Sequence, residues 1–301
     1  MPQRRVSVIL NAGAGRDAVA PADVRRAFRR AGVDAEVIAT PGDKLADAAS
    51  AAVARGADVV VAAGGDGTVN AVAGALAGSD AAMGVLPLGT LNHFARDIGV
   101  PVDLDAAAAL IATGEPRRID LGEVNGRIFV NNSSIGLYPA IVVDRDAQRE
   151  RAGRGKWVAM LVAIGRTLRR FPRLRVRVDL LDKVLPRVTP FVFVGNNRFL
   201  ASPGAVGRRD RLDGGELSVL TAHSTSRWRL VWMAIAAIVR PGREPRAKGL
   251  DAAARPALVI DADRGTIRVA LDGEVVRMRP PLRYRILPGA LRVVGPGGDA
   301  A

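Results

Sequence analysis

Apolar positions in the first hundred residues come in short unbroken runs, each ending at a cluster of small or turn-forming residues. The plainest is 59–63, Val-Val-Val-Ala-Ala, which stops at Gly64, Gly65, Asp66, Gly67 and Thr68. Consecutive apolar residues of β-branched type predict a strand buried on both faces, as in a parallel sheet. Runs at 4–10, 33–40 and 83–86 repeat the pattern. Between them, helices are expected over 21–30, 44–56 and 68–77, with Pro21 near a first turn and Gly32 ending the first helix. Strand and helix alternate through residue 110, which predicts an open, doubly wound parallel α/β sheet.

From residue 119 the period changes. Short strand-like runs at 119–121, 127–130, 174–181, 191–195, 216–221, 258–260, 266–271, 274–279, 282–287 and 291–294 are separated by turn residues. They predict a second domain built as a mainly antiparallel β-sandwich. The expected division is 1–118 for the α/β domain with the glycine-rich turn and 119–301 for the β-rich domain. Two apolar segments interrupt the strands, 156–168 and 228–239, both flanked by arginines and too short to cross a bilayer. They read either as core-packing helices or as helices lying in a membrane interface, tryptophans at headgroup level. No window of eighteen apolar residues exists, and the first residues lack the apolar region and cleavage site of a signal peptide. The expected location is the cytoplasm, with peripheral attachment to the inner face of the membrane.

Charge sharpens the division. The chain carries 44 Lys and Arg against 30 Asp and Glu, a net of +14. Residues 1–120 hold 12 basic and 14 acidic side chains, so the excess belongs to the second part, where 145–180 alone carries 11 basic residues. That excess reads as a surface for anionic membrane, or as the compositional habit of an Ala- and Arg-rich protein. No nucleic-acid partner is expected, because no reader motif accompanies the charge. The absence of cysteine excludes disulfides and thiolate chemistry, and two histidines make imidazole metal clusters improbable.

Three glycines within four positions, between a strand and a helix, let backbone approach a bulky anion. The helix start adds free N–H groups and a positive dipole end, so phosphate is the natural guest. Asp66 in its midst would repel phosphate unless a divalent cation lay between them, which reads as a magnesium nucleotide. The plainer alternative is a tight glycine turn with a solvated aspartate. A second turn, Gly89 and Thr90 at the end of the 83–86 run, is expected to converge on the same crevice.

These residues, GGDGT with Asn70 two positions on, the block PLGTLNHFARDIGVP, the Ile-Asp-Leu-Gly at Asp120 and the Asp-Gly-Glu ending at Glu274, fall in order across nearly the whole chain. In that order and spacing they resemble the diacylglycerol kinase catalytic-domain family, and within it the soluble bacterial lipid kinases, relatives of sphingosine kinases and NAD kinases. GGDGT is shared with NAD kinases and phosphofructokinases; the GTLNHFARD block is the discriminating part. The resemblance implies an ATP-dependent kinase that phosphorylates a hydroxyl of a membrane lipid such as diacylglycerol or a sphingosine-like lipid. It implies Asn11, Thr40, Gly64, Gly65, Asp66, Gly67, Thr68, Asn70, Gly89 and Thr90 at the nucleotide, and Mg2+ held by Asp66 and Asp120. Glu274 is implied as the general base, acting with those two aspartates. On the residues alone, Thr40 fits a helix cap or turn equally well, and Asp-Gly-Glu reads as a hairpin turn with a solvated acid. The sequence departs from the family twice: His93 stands at a usual aspartate, and Gly214 at an aspartate of a turn that holds a structural metal in many relatives. An NAD kinase or other soluble-substrate kinase, and a catalytically inactive nucleotide-binding regulator, therefore stay open as readings.

Overall fold

Four apolar runs become the parallel strands β1 (Val6–Asn11), β2 (Ala35–Thr40), β3 (Val59–Gly64) and β4 (Ala82–Pro87), in the spatial order β2-β1-β3-β4. Every residue of β3 and β4 is buried, as expected for strands covered on both faces. The chain steps one way from β1 to β2 and the other way from β2 through β3 to β4. Right-handed crossovers then put α1 (Pro21–Arg30) on one face and α2 (Leu45–Ala54) and α3 (Asp66–Leu76) on the other. The packing agrees: α2 lies on α3, and α1 lies on α5 (Leu104–Thr113). A short α4 (His93–Asp97) follows β4. The expected helix at 44–56 is split into a 3-10 turn at Gly42–Lys44 and α2.

This computed structural model describes residues 4–13, 19–137, 139, 174–199, 209, 211–222 and 250–296, so the segments expected as helices at 156–168 and 228–239 lie outside it. The chain forms two units, Met1–Leu121 with Leu287–Ala301, and Gly122–Ile286. The boundary expected at 118/119 falls close to the first crossing, inside β5 (Pro116–Val124), but assigning everything beyond it to one domain needs correction. Residues 287 onward return to the first unit. The physical cause is pairing: Arg292 and Val293 run parallel beside Ala82 and Met83 of β4, and Gly78 N–H donates to the Ala290 carbonyl.

The second unit is antiparallel. β6 (Arg127–Phe129) and β7 (Asn132–Gly136) precede β8 (Leu174–Asp179), β9 (Val184–Thr189), β10 (Phe191–Asn196), β11 (Leu217–Ala222), β12 (Leu250–Arg255), β13 (Ala257–Ala262), β14 (Ile267–Leu271), β15 (Glu274–Met278) and β16 (Leu282–Val294). One sheet runs β12-β11-β10-β7-β14-β15. The start of β16 pairs with β13, β13 with β8 and β8 with β9 in the other. Between the layers, alternate residues of both sheets, among them Ile135, Val176, Val192, Val269, Leu258 and Tyr284, make one buried core with Phe129. Tyr284 is held there by a hydroxyl contact of 3.0 Å to Ser133, and burial pushes its phenol well above the usual range.

Candidate active site

β3 and β4 are paired in register, Ala63 opposite Leu86 and Gly64 opposite Pro87, so the turns that leave them start side by side. The helix after β3 begins earlier than its spacing suggests, at Asp66 rather than Thr68. Gly65 is its N-cap in extended conformation and supplies no side-chain cap, which leaves the first amides of α3 available to a bound anion. A Cβ on Gly64 would lie 2.2 Å from Thr68 Oγ1, and Thr68 itself is buried. That same Oγ1 accepts a 3.0 Å hydrogen bond from Asn11 Nδ2, while Asn11 Oδ1 accepts from Gly13 N–H at 3.0 Å. Asn11 thus ties the first βα turn to the glycine turn. Thr40 is buried opposite Asn11 in the β1–β2 register, and its carbonyl accepts from Ala12 N–H at 3.0 Å.

The second turn meets the first backbone to backbone. A Cβ on Gly89 would stand 2.5 Å from Gly65 Cα and 2.7 Å from Asn92 Oδ1. Asn92, in the left-handed conformation at φ 49°, holds this turn closed. Its Oδ1 accepts from Gly89 N–H at 3.0 Å, and its Nδ2 donates to the carbonyls of Gly89 and Pro87 at 2.9 and 3.1 Å. No apolar pattern or charge points to Asn92; the signal for its role is an asparagine closely following a glycine turn. Thr90 is exposed beside it, and His93 is exposed at the start of α4, so neither packs into the core. Asp66 Oδ1 accepts the Phe94 N–H at 3.4 Å, linking the glycine turn to α4. Gly67 is exposed with open space where a Cβ would sit.

Gly89→Ala is therefore expected to force the two turns apart at a cost of about 1–3 kcal/mol, roughly fivefold to 150-fold in the affinity for any phosphate ligand that the turns would hold. Calorimetric titration with ATP checks it. Gly67→Ala, with no neighbour to strike, should melt like the parent chain.

Asp120 is 2% exposed on β5, and its Oδ1 accepts the Gly289 N–H at 2.9 Å. Among the described residues no group of three or more His, Asp or Glu side chains could hold a metal ion. A single carboxylate together with nucleotide phosphates is a common way to bind Mg2+, so Asp66 at the head of α3 fits that ion. One turn along α3 from Asp66, Asn70 keeps a buried Oδ1 without a protein partner, an acceptor suited to water or a ligand at the same helix face.

In the second unit, Glu274 opens β15 as an exposed residue. It follows Asp272 and Gly273, both at positive φ (47° and 92°), and Leu271 pairs with Glu274, the geometry of a two-residue I′ hairpin. Asp272 is the unanticipated member. Its carboxylate accepts three backbone N–H groups, from Val130 at 2.7 Å, Asn131 at 2.8 Å and Asn132 at 2.9 Å. Burial pushes this carboxyl up, and the three donors and the Arg209 charge pull it back. Arg209 donates to the Val130 carbonyl and to Asn131 Oδ1 at 2.7 and 3.1 Å. The acid preceding Glu274 thus anchors the hairpin. Gly214 has its own local reason: a Cβ there would approach Asn197 Oδ1 to 2.8 Å, and Arg211 pairs with Asp213 at 3.0 Å as in a charged turn.

Residues 5–124 match the diacylglycerol kinase catalytic domain. The "Probable lipid kinase YegS-like" of Pseudomonas aeruginosa is 33% identical over 257 residues, covering 82% of this chain and 80% of that protein. The diacylglycerol kinase of Bacillus subtilis is 38% identical over 148 residues, about half of either chain (47% and 48%). In fold, a diacylglycerol kinase structure from Bacillus anthracis superimposes with a TM-score of 0.70 over 99% of this chain and 98% of the other, at 19% identity.

Proposed function

The chain belongs to the diacylglycerol kinase family and is a lipid kinase, and on that premise we propose that it transfers the γ-phosphoryl group of ATP to a hydroxyl of a membrane lipid such as diacylglycerol or a sphingosine-like lipid. The observation that carries the donor half of this reading is the bare-backbone contact of Gly65 with Gly89 at the uncapped start of α3. Phosphoryl transfer asks a protein chiefly for positioning and charge neutralisation. The two glycine turns hold the phosphates by backbone N–H groups, with Asn11, Thr40, Thr68, Asn70 and Thr90 around them. Asp66, with Asp120 as the second carboxylate, would hold Mg2+, which would supply charge neutralisation at the transferring group. Glu274 accepts the proton of the acceptor hydroxyl as that oxygen attacks phosphorus, and the bond to the β-phosphate oxygen breaks.

The acceptor is an expectation from the family, supported by the basic excess of the second part of the chain, which suits an anionic membrane surface. Among the described residues no helix is long and apolar enough to cross a membrane, so attachment to that surface is proposed as peripheral. The test is a radiolabelled ATP assay with total extracted lipid and, separately, with NAD. Label in a chloroform-soluble product supports the reading. Label transferred only to NAD supports a soluble-substrate kinase, and nucleotide binding without transfer to either supports a regulator, the reading His93 favours.

A further inference from the structure

β14 and β15 set two arginines against each other, Arg268 directly opposite Arg277. Like charges in that register repel, and a protein usually separates them or places an acid between them. No acid lies between them here: among the described residues Arg268, Arg277 and the neighbouring Arg264 have no hydrogen bond or ion pair from their guanidinium groups, although ten other basic side chains do pair with acids. All three are exposed and line one cavity of about 320 Å3 with Thr266, Gly136, Leu174 and Ile267.

The register explains the space. β7 pairs with β14, Ile135 opposite Val269, so the next step brings Gly136 level with Arg268. Gly136, Arg268 and Arg277 therefore form one row across three strands, and its first member has no side chain to fill the row. Nor can it gain one, because at φ +95° an added Cβ would meet the Pro190 carbonyl oxygen at 2.2 Å. Glu274, three residues before Arg277 on the same strand, points to the opposite face.

We propose that this cavity binds a phosphate group, and that the group belongs to the headgroup of an anionic phospholipid. Guanidinium forks match phosphate oxygens in pairs, and three of them outweigh the one or two charges such a group carries. Leu174 and Ile267, both part of this unit's buried core, close the cavity's floor, and the basic excess of this part of the chain suits a membrane headgroup better than a lone ion. The site is separable from phosphoryl transfer, because its occupancy is measured without nucleotide.

The experiment compares the full chain with Arg268→Ala/Arg277→Ala, and with Arg25→Ala/Arg29→Ala, which removes the same charge from exposed positions of α1. Each is sedimented with vesicles of phosphatidylcholine alone and of phosphatidylcholine with phosphatidylglycerol, at low and physiological salt, with inorganic phosphate as competitor. The parent should bind the anionic vesicles, and the Arg268/Arg277 variant should bind them about thirtyfold more weakly, the factor expected for two basic residues at a membrane surface. The control pair should lose much less. Competition by millimolar phosphate would support the site and assign it to free phosphate; its absence would support the site and assign it to the lipid. Equal losses in the two double variants, or no loss in either, would overturn the proposal. Melting temperatures guard the comparison: relieving the Arg268–Arg277 repulsion should leave the variant as stable as the parent, and an Arg277→Gln single variant, retaining size, should show an intermediate loss.

Discussion

Glu274→Gln should slow turnover roughly a hundredfold to ten-thousandfold, the usual cost of removing a general base, which is about 3 to 5.5 kcal/mol of barrier. The substitution preserves size and hydrogen-bonding reach but removes the proton acceptor. Nucleotide affinity should hardly change, because the role proposed for Glu274 is toward the acceptor hydroxyl and not toward the nucleotide. A fall in kcat with an unaltered dissociation constant for ATP marks a transition-state effect. The neighbouring acid provides the contrast: Asp272→Ala strips the charge from three backbone N–H groups and Arg209, so it should cost on the order of 3 kcal/mol of stability. Melting curves and stopped-assay rates on both variants separate the roles. A loss under about fivefold for Glu274→Gln would leave it a solvated hairpin acid and move the base elsewhere.

Asp66→Ala is expected to remove phosphoryl transfer almost completely, by roughly a thousandfold if Asp66 anchors the cation that neutralises the transferring phosphate. The fold should survive. Asp66 is the first residue of α3, and the bond its side chain makes, to Phe94 N–H at 3.4 Å, is long. Losing an acidic residue at a helix start costs only about 0.3–1 kcal/mol. A second readout needs no turnover: ATP binding to the parent should tighten with Mg2+, and binding to the variant should respond little. A variant that unfolds, or that keeps more than a few per cent of parental activity, places the site elsewhere.

What could be read in the sequence follows from how strongly each segment announces its burial. Strands β1, β3 and β4 were legible because both faces are covered, which forces consecutive apolar residues; β2, at the sheet edge with Glu36 and Ala39 exposed, was legible from its apolar Val37 and Ile38 between turn residues. β7, Asn-Ser-Ser-Ile-Gly, was not, because its buried positions include two serines that no strand pattern flags. β9 carries Pro186, a signal against a strand, and tolerates it at the edge of its sheet, where a missing N–H costs little. β12 is alanine-rich and also lies at an edge. Pro288 and Gly289 suggested two strands with a turn between them, yet β16 continues through both, with Gly289 taking φ +58°. At the site, the glycines announced themselves because a bare backbone has no other reason to recur at strand ends. Asn92 and Asp272 were missed because their side chains bond backbone N–H and C=O groups, which no apolar pattern flags, and only folding brings Asp272 to Val130.

The strand segment that closes the first sheet is the last part of the described chain to be made. A ribosome delivers β1 to β4 early, but the residues that cover the outer edge of β4 follow only after the whole of 122–286 has been translated. At about 5–20 residues per second that is a wait of roughly ten to thirty seconds. Throughout it, a fully apolar strand, Ala-Met-Gly-Val-Leu-Pro, presents open N–H and C=O groups to any neighbouring chain. The nascent protein should therefore be most prone to cross-pairing on crowded polysomes, and most dependent on chaperone shielding, during the interval before β16 emerges.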